Sequence, residues 1–323
     1  MTLRVALTGA TGFIGSTALR ALLGSGAEVR ALARTVPAGG KPAPGGMRVP
    51  RAEWVHGDLA DRASLRELCR GAEALVHLAS RVGGPEEDCE AVNSLGTEAL
   101  MREAVRARIP RIVHLSTAAV YGFGPHRGIA VDGVRPAPVS PASRTRLAGE
   151  GFARAAGAVV LRPGLVLGRG DRWVVPAYAE LVRRVPAVWD GGTGLLSVVE
   201  VGDLARLIAT LATAAEPVEP AVHHASHPVP VPVGELLAEL ARHGVLPVRP
   251  EADLPWPTCL RLLGETPGRV SERQFSLLAQ DHWYRSEEIW DLADCPAGPG
   301  LLARLGASAG WYRDHLALGG EPG

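Results

Sequence analysis

Through about the first 215 residues, short apolar runs alternate with stretches whose apolar positions recur at helical spacing. The runs predict strands over 3–8, 28–33, 54–55, 74–78, 111–116 and 159–162. Between them, the 3.6-residue pattern predicts helices over 13–23, 64–70, 90–108 and 143–156. Strand and helix in strict alternation predict the α/β class, a doubly wound parallel sheet with helices on both faces and right-handed crossovers. Past residue 162 the rhythm loosens, with helices expected over 203–212 and 233–242 and a strand over 221–225. The expected organisation is a core over 1–165, rejoined by 196–225, and a smaller C-terminal lobe over 166–323 that holds substrate. No internal repeat is evident.

Composition narrows the function classes. Lys+Arg and Asp+Glu each total 34 in 323 residues, so no charge footprint points to nucleic acid or a membrane surface. Lys41 is the one lysine, placed in a Pro/Gly-rich loop expected over 36–51 that could border a phosphate group. Any mechanism that needs a lysine has this single candidate. The cysteines Cys69, Cys89, Cys259 and Cys295 have no C-x-x-C spacing and read as buried thiols of a reducing, cytoplasmic protein. The chain enters a strand at once, without a cationic leader or an apolar run of membrane-spanning length.

Thr8–Gly15 reads TGATGFIG between a predicted strand and a predicted helix. Gly9 permits a tight turn, Gly12 lets backbone approach a pyrophosphate, and Gly15 lets the helix pack close to the sheet. The helix N-terminus then offers open N–H groups to phosphates, through Thr11, Phe13 and Ile14 beside the glycines. The fold is thus read as Rossmann-type, with a nicotinamide dinucleotide as cofactor. The second strand ends at Ala33 followed by Arg34, where an NAD-binding chain would place a carboxylate on the ribose. No acid there repels a 2′-phosphate and a guanidinium can pair with one, so NADP(H) is expected. The alternative is that Arg34 only decorates a strand end.

The ordered segments TGATGFIG, GDL at 57–59, LVHLAS at 75–80, NSLGT at 93–97, HLSTAAVYG at 114–122, LAGE at 147–150, LRPGLVLG at 161–168 and VEVGDLA at 199–205 resemble the extended short-chain dehydrogenases/reductases. That family includes nucleotide-sugar epimerases and dehydratases, and the resemblance covers about residues 1–230. It implies that Asp58 and Leu59 flank the adenine, that Leu78, Ala79 and Ser80 line the cofactor, and that Pro163, Gly164 and Leu165 lie near the nicotinamide. It also implies a homodimer.

The family's machinery is a Ser or Thr, plus a Tyr and a Lys four residues apart on one helix face, where the ammonium lowers the phenol pKa. Thr117 fills the first role, with Ser116 a second hydroxyl beside it. Aligned to that pattern, SPASRTRLAGE at 140–150 puts Ala142 at the tyrosine and Arg146 at the lysine. No shifted register restores the pair, since Pro125, Val182, Glu288 and Leu316 stand four residues beyond the four tyrosines. Arg146 can still hold the nicotinamide ribose, but its pKa, above about 12, bars it from shuttling protons. Epimerisation and dehydration need an acid or base at the sugar, whereas hydride transfer to an activated ketone needs mainly positioning. The chain is therefore similar to the atypical ketoreductases that tailor polyketide antibiotics. A gap at Ala142 and six tryptophans after residue 170 suit a flat polycyclic substrate, though the tryptophans could equally fill a core.

His223, His224 and His227 have no carboxylate at ligand spacing, so no metal is expected. His114 is expected to be a hydrogen-bonded core histidine. Residues 264–290 could form a lid or a docked segment.

Overall fold

The computed structural model describes residues 2–36, 52–247 and 252–318. The predicted loop with Lys41 lies, beyond Val36, outside the described residues. Seven strands, numbered in chain order, form the main sheet: β1 (Arg4–Thr8), β2 (Glu28–Ala33), β3 (Ala52–His56), β4 (Ala74–His77), β5 (Arg111–Leu115), β6 (Ala158–Arg162) and β7 (Val222–His224). All pair in parallel in the order β3-β2-β1-β4-β5-β6-β7, the doubly wound arrangement expected.

Because side chains alternate across a strand, β1 feeds both faces. Val5 and Leu7 pack with Leu19 and Leu22 of the first helix, Phe13–Gly24, and with Leu204 and Ile208 of helix Val201–Thr213. Ala6 turns the other way, toward Leu65, Leu68 and Leu100 of helices Arg62–Cys69 and Gly96–Arg106. Strands buried on both faces need continuous apolar runs, which is why their sequence was conspicuous.

The helix expected over 90–108 begins at Glu86 and is not uniform: Glu86–Cys89 is α-helical, Glu90–Leu95 is a wider π turn, and Gly96–Arg106 resumes the α form. The bulge serves Asn93, whose amide donates to the Arg81 carbonyl at 2.9 Å and accepts from the Arg81 N–H at 2.7 Å. Hydrophobic spacing alone cannot report such an insertion.

The C-terminal lobe has its own core, built on Tyr178, Leu181, Trp189, Leu236 and Phe275. Its small sheet pairs Leu195–Leu196 with Val231–Pro232 and with His282–Tyr284, which in turn pairs with His126–Ile129. Residues 126–129 thus leave the N-terminal half to join the lobe's sheet. The segment 264–290 is docked and not a free lid, for Phe275, Leu278 and Ala279 are buried in that core. Trp189 and Trp290 are likewise core residues, with the Trp290 indole donating to the Ser226 carbonyl at 2.7 Å.

Candidate active site

The glycine turn follows β1 as its spacing implies. Gly9 sits at φ 75°, and a Cβ there would lie 2.6 Å from the Ala79 nitrogen. On Gly15 a Cβ would collide with the Gly9 carbonyl oxygen. Gly12 takes the N-cap position of the first helix with no side-chain cap and no acid in the first turn, so the helix presents open N–H groups. Backbone packing at Gly9 and Gly15 leaves no room for a side chain in the turn, and the open N–H groups past Gly12 fit a pyrophosphate. Beyond it lies a cavity of about 290 Å³ lined by Thr11, Ala33, Arg34, Asp58, Leu59, Leu78, Ala79 and Ser80. The residues expected around the adenosine half are therefore brought together, with Arg34 on the wall and no carboxylate at the end of β2.

Past the sheet's carboxyl edge, Pro163, Gly164 and Leu165 form a fixed ledge. The Pro163 carbonyl accepts from Ala118 N–H at 2.8 Å, Gly164 N–H donates to Ser226 Oγ at 2.9 Å, and Leu165 N–H donates to the Ser197 carbonyl at 2.9 Å. Thr117 follows β5, half-buried and extended at φ −154°, and its Oγ1 accepts from Ala119 N–H at 3.1 Å. That contact uses a lone pair and leaves the hydroxyl proton free to donate to a carbonyl.

Ser116 is not available in the same way. It is fully buried, and its hydroxyl donates to Glu150 Oε1. Glu150 also holds Arg162 through Nε at 3.0 Å, and Arg162 Nη1 donates to Tyr121 Oη at 2.9 Å. Tyr121 Oη in turn lies 2.8 Å from His224 Nε2 and donates to the Val131 carbonyl at 2.9 Å. Ser116 is thus a structural hydroxyl in a buried ion-pair network, a correction to its expected catalytic standing. Sequence reasoning missed Glu150 and Arg162. Their signal was a charged residue at the end of an apolar strand and another on a core-facing helix position, which only a partner makes tolerable.

Helix Pro141–Ala155 begins two residues earlier than expected because Ser140 caps it reciprocally with Ser143 and Pro141 occupies its first turn. Ala142 stands half-exposed in that turn. None of the other phenols reaches the place. Tyr121 is committed as described, Tyr178 donates to the Leu278 carbonyl at 2.7 Å, Tyr312 to Asp171 at 3.1 Å, and Tyr284 is buried against Tyr121.

Arg146 points inward. Its Nη2 donates to the Leu115 carbonyl at 3.2 Å and also to the Ser116 carbonyl, bracing the strand end that carries Thr117. Its Nε is buried without a partner, and burial pulls its pKa down to about 10. Beneath it lie two histidines with ring centroids 5.0 Å apart. His77 is satisfied by Thr8 at 2.6 Å and Thr97 at 2.9 Å, and burial takes its pKa down to about 3. His114 has no hydrogen-bond partner at either nitrogen, contrary to the expectation of a bonded core histidine. Burial, then His77 and Arg146, hold it far below the usual imidazole range, so it is neutral and not a ready acid.

The histidine run is dispersed. His224 belongs to the Tyr121 network, His223 Nδ1 lies 3.3 Å from Glu288, and His227 contacts the Val229 and Gly298 carbonyls. Among the described residues no group of acids, histidines and cysteines could hold a metal. None of the described helices is long and apolar enough to cross a membrane.

Trp173, one of the six tryptophans past residue 170, is exposed. A Cβ on Gly83 would lie 3.9 Å from its ring, so the lobe reaches over the crevice to the loop after β4. Of the tryptophans, Trp173 and Trp311 line a cleft beside the glycine turn.

Residues 5–223 match the family model described as Epimerase, the NAD dependent epimerase/dehydratase family. The chain is 32% identical over 217 residues to the 4-hydroxy-2-methyl-3-oxo-4-farnesyl-3,4-dihydroquinoline-1-oxide ketoreductase of Stigmatella aurantiaca, a match that spans 62% of either protein. It is 27% identical over 315 residues to the 2-alkyl-3-oxoalkanoate reductase of Stenotrophomonas maltophilia, covering 88% of this chain and 92% of that one. Among solved structures, MoeE5 in complex with UDP-glucose and NAD aligns with a TM-score of 0.68 at 25% identity, covering 97% of this chain and 99% of that one. Glycine turn, sheet order and matched span lead to one conclusion: this chain belongs to the NAD-dependent epimerase/dehydratase family.

Proposed function

We propose that the protein is an NADPH-dependent ketoreductase that converts a ketone on a bulky aromatic polyketide, angucyclinone-like in shape, to a secondary alcohol in antibiotic biosynthesis. The observation that carries this reading is Thr117, whose hydroxyl keeps its proton free at the carboxyl edge of the sheet while no phenol stands at Ala142. Such a site can orient and polarise a carbonyl but has no side chain suited to removing a proton from a sugar. The nicotinamide, when bound, supplies the hydride.

Each remaining residue has a positioning task. The glycine turn receives the pyrophosphate, Arg34 pairs with the 2′-phosphate, and Asp58 with Leu59 borders the adenine. Arg146 holds the end of β5 and so fixes Thr117 relative to the nicotinamide ledge at Pro163–Leu165. The substrate's own phenol or water supplies the proton. The residue pattern resembles that of the ketoreductase of simocyclinone biosynthesis, and two relatives carry names of enzymes that reduce 3-oxo compounds. Four free, buried cysteines suit a cytoplasmic setting, and a homodimer belongs to the same reading.

The test is NADPH oxidation across a panel of polycyclic ketones, with alcohol identified as product. Turnover on at least one supports the reading. Tight NADPH binding with no oxidation across the panel refutes it in favour of a cofactor sensor. MoeE5, solved with UDP-glucose, motivates a second reading as a nucleotide-sugar enzyme. It requires nucleotide sugars to raise the melting temperature, which the ketoreductase reading does not.

A further inference from the structure

The glycine turn has a second side. Opposite the adenosine cavity, and sharing only Thr11 and Gly12 with it, lies a cleft of about 440 Å³ between the first helix and the lobe. Phe13, Ser16 and Arg20 form one wall, at three- and four-residue spacing along a single helix face. Arg169 and Arg172 form the other wall, with the indoles of Trp173 and Trp311 beside them.

Three arginines thus converge with no acid lining the cleft. Among the described residues, Arg169 and Arg172 make no ion pair. Among the described residues Arg20 bonds only to Thr17 Oγ1, at 2.9 Å, and its pKa is drawn down by burial and then by Arg169. Asp171, the carboxylate next in sequence, faces away. It is buried, accepting from the N–H groups of Trp173, Val174 and Val175 and from Tyr312. Like charges gathered in a concave site favour an anion between them. Arg20 stands seven residues beyond Phe13, roughly 10 Å along the helix axis from the open N–H groups.

We propose that this cleft is an oxyanion site distinct from the cofactor's own, which seats the carboxylate or phosphate of an acidic aromatic substrate while the indoles cover its ring. This rests on the ketoreductase reading and narrows its substrate class to acidic ketones.

The first arm of the test does not depend on turnover. Inorganic phosphate is titrated calorimetrically into cofactor-free and NADPH-saturated protein, native and with Arg20→Gln plus Arg172→Gln. Expected are equal affinities with and without NADPH, weakened about tenfold or more in the variant at unchanged melting temperature. Competition between phosphate and NADPH would mean that the arginines clamp the cofactor, and it would overturn the proposal. So would native-like phosphate binding by the variant. The second arm compares a carboxylated aryl ketone with its methyl ester. The proposal requires the native protein to show a KM about tenfold lower for the acid, and the variant to lose that preference. Equal KM values in the native protein overturn it. Should no ketone be reduced at all, the function fails while the phosphate titration still decides the site.

Discussion

Replacing Thr117 by valine removes one hydroxyl at nearly constant volume, and the structure separates the two things that hydroxyl does. As acceptor it receives Ala119 N–H at 3.1 Å, capping the short turn Ala118–Tyr121. Loss of a cap of this kind costs about 1 kcal/mol of stability. As donor, in the proposed mechanism, it would face the oxygen on which negative charge grows during hydride transfer, and removing one such donor costs roughly 3–4 kcal/mol, or about 10²–10³ in kcat. Thr117→Ser keeps both functions and serves as the control. The assay is steady-state loss of NADPH absorbance on a ketone that the native protein turns over, with NADPH affinity and melting temperature measured on the same samples. Thr117→Val should lose kcat by about two powers of ten or more with NADPH affinity intact, and Thr117→Ser should stay within about tenfold of native. If valine leaves kcat within twofold of native, Thr117 does not polarise the carbonyl and the mechanism is wrong.

Three further outcomes are expected. Arg34→Gln should weaken NADPH by about tenfold while leaving NADH nearly unchanged, read by fluorescence titration; an equal loss for both removes Arg34 from the 2′-phosphate. Ala142→Tyr with Arg146→Lys should not raise kcat appreciably, because the main-chain bracing by Arg146 is lost and the phenol would fill space that the proposed substrate needs; a large gain in the same assay would show a merely damaged site. Stability should fall below neutral pH. Burial lowers His77 to about 3 and both His224 and His282 to about 4, from roughly 6.5 unfolded. Their contribution is complete above about pH 6.5 and is lost as pH falls toward the folded values, at up to about 1.4 kcal/mol per pH unit for each. Urea unfolding at about pH 7.5 and about pH 5.5 tests this, and an unchanged free energy would contradict it.

The sequence by itself determined the sheet, because strands buried on both faces must be apolar throughout and the helices between them must be amphipathic. It also determined the glycine turn, where Gly9 at positive φ and Gly15 against the Gly9 carbonyl tolerate no side chain, and the absence of a phenol at residue 142. The small lobe was hard to read because its strands are two or three residues long, too short for periodicity to register. Only the tertiary structure decided which polar groups are occupied. Ser116 and Thr117 are neighbours of the same chemical type, yet one is sealed against Glu150 and the other keeps its proton free. It likewise showed His114 unpaired, Trp173 reaching across the crevice to Gly83, and Arg20 facing Arg169 and Arg172 across a cleft. Availability of a hydrogen bond or a charge depends on partners distant along the chain, and no local pattern encodes those.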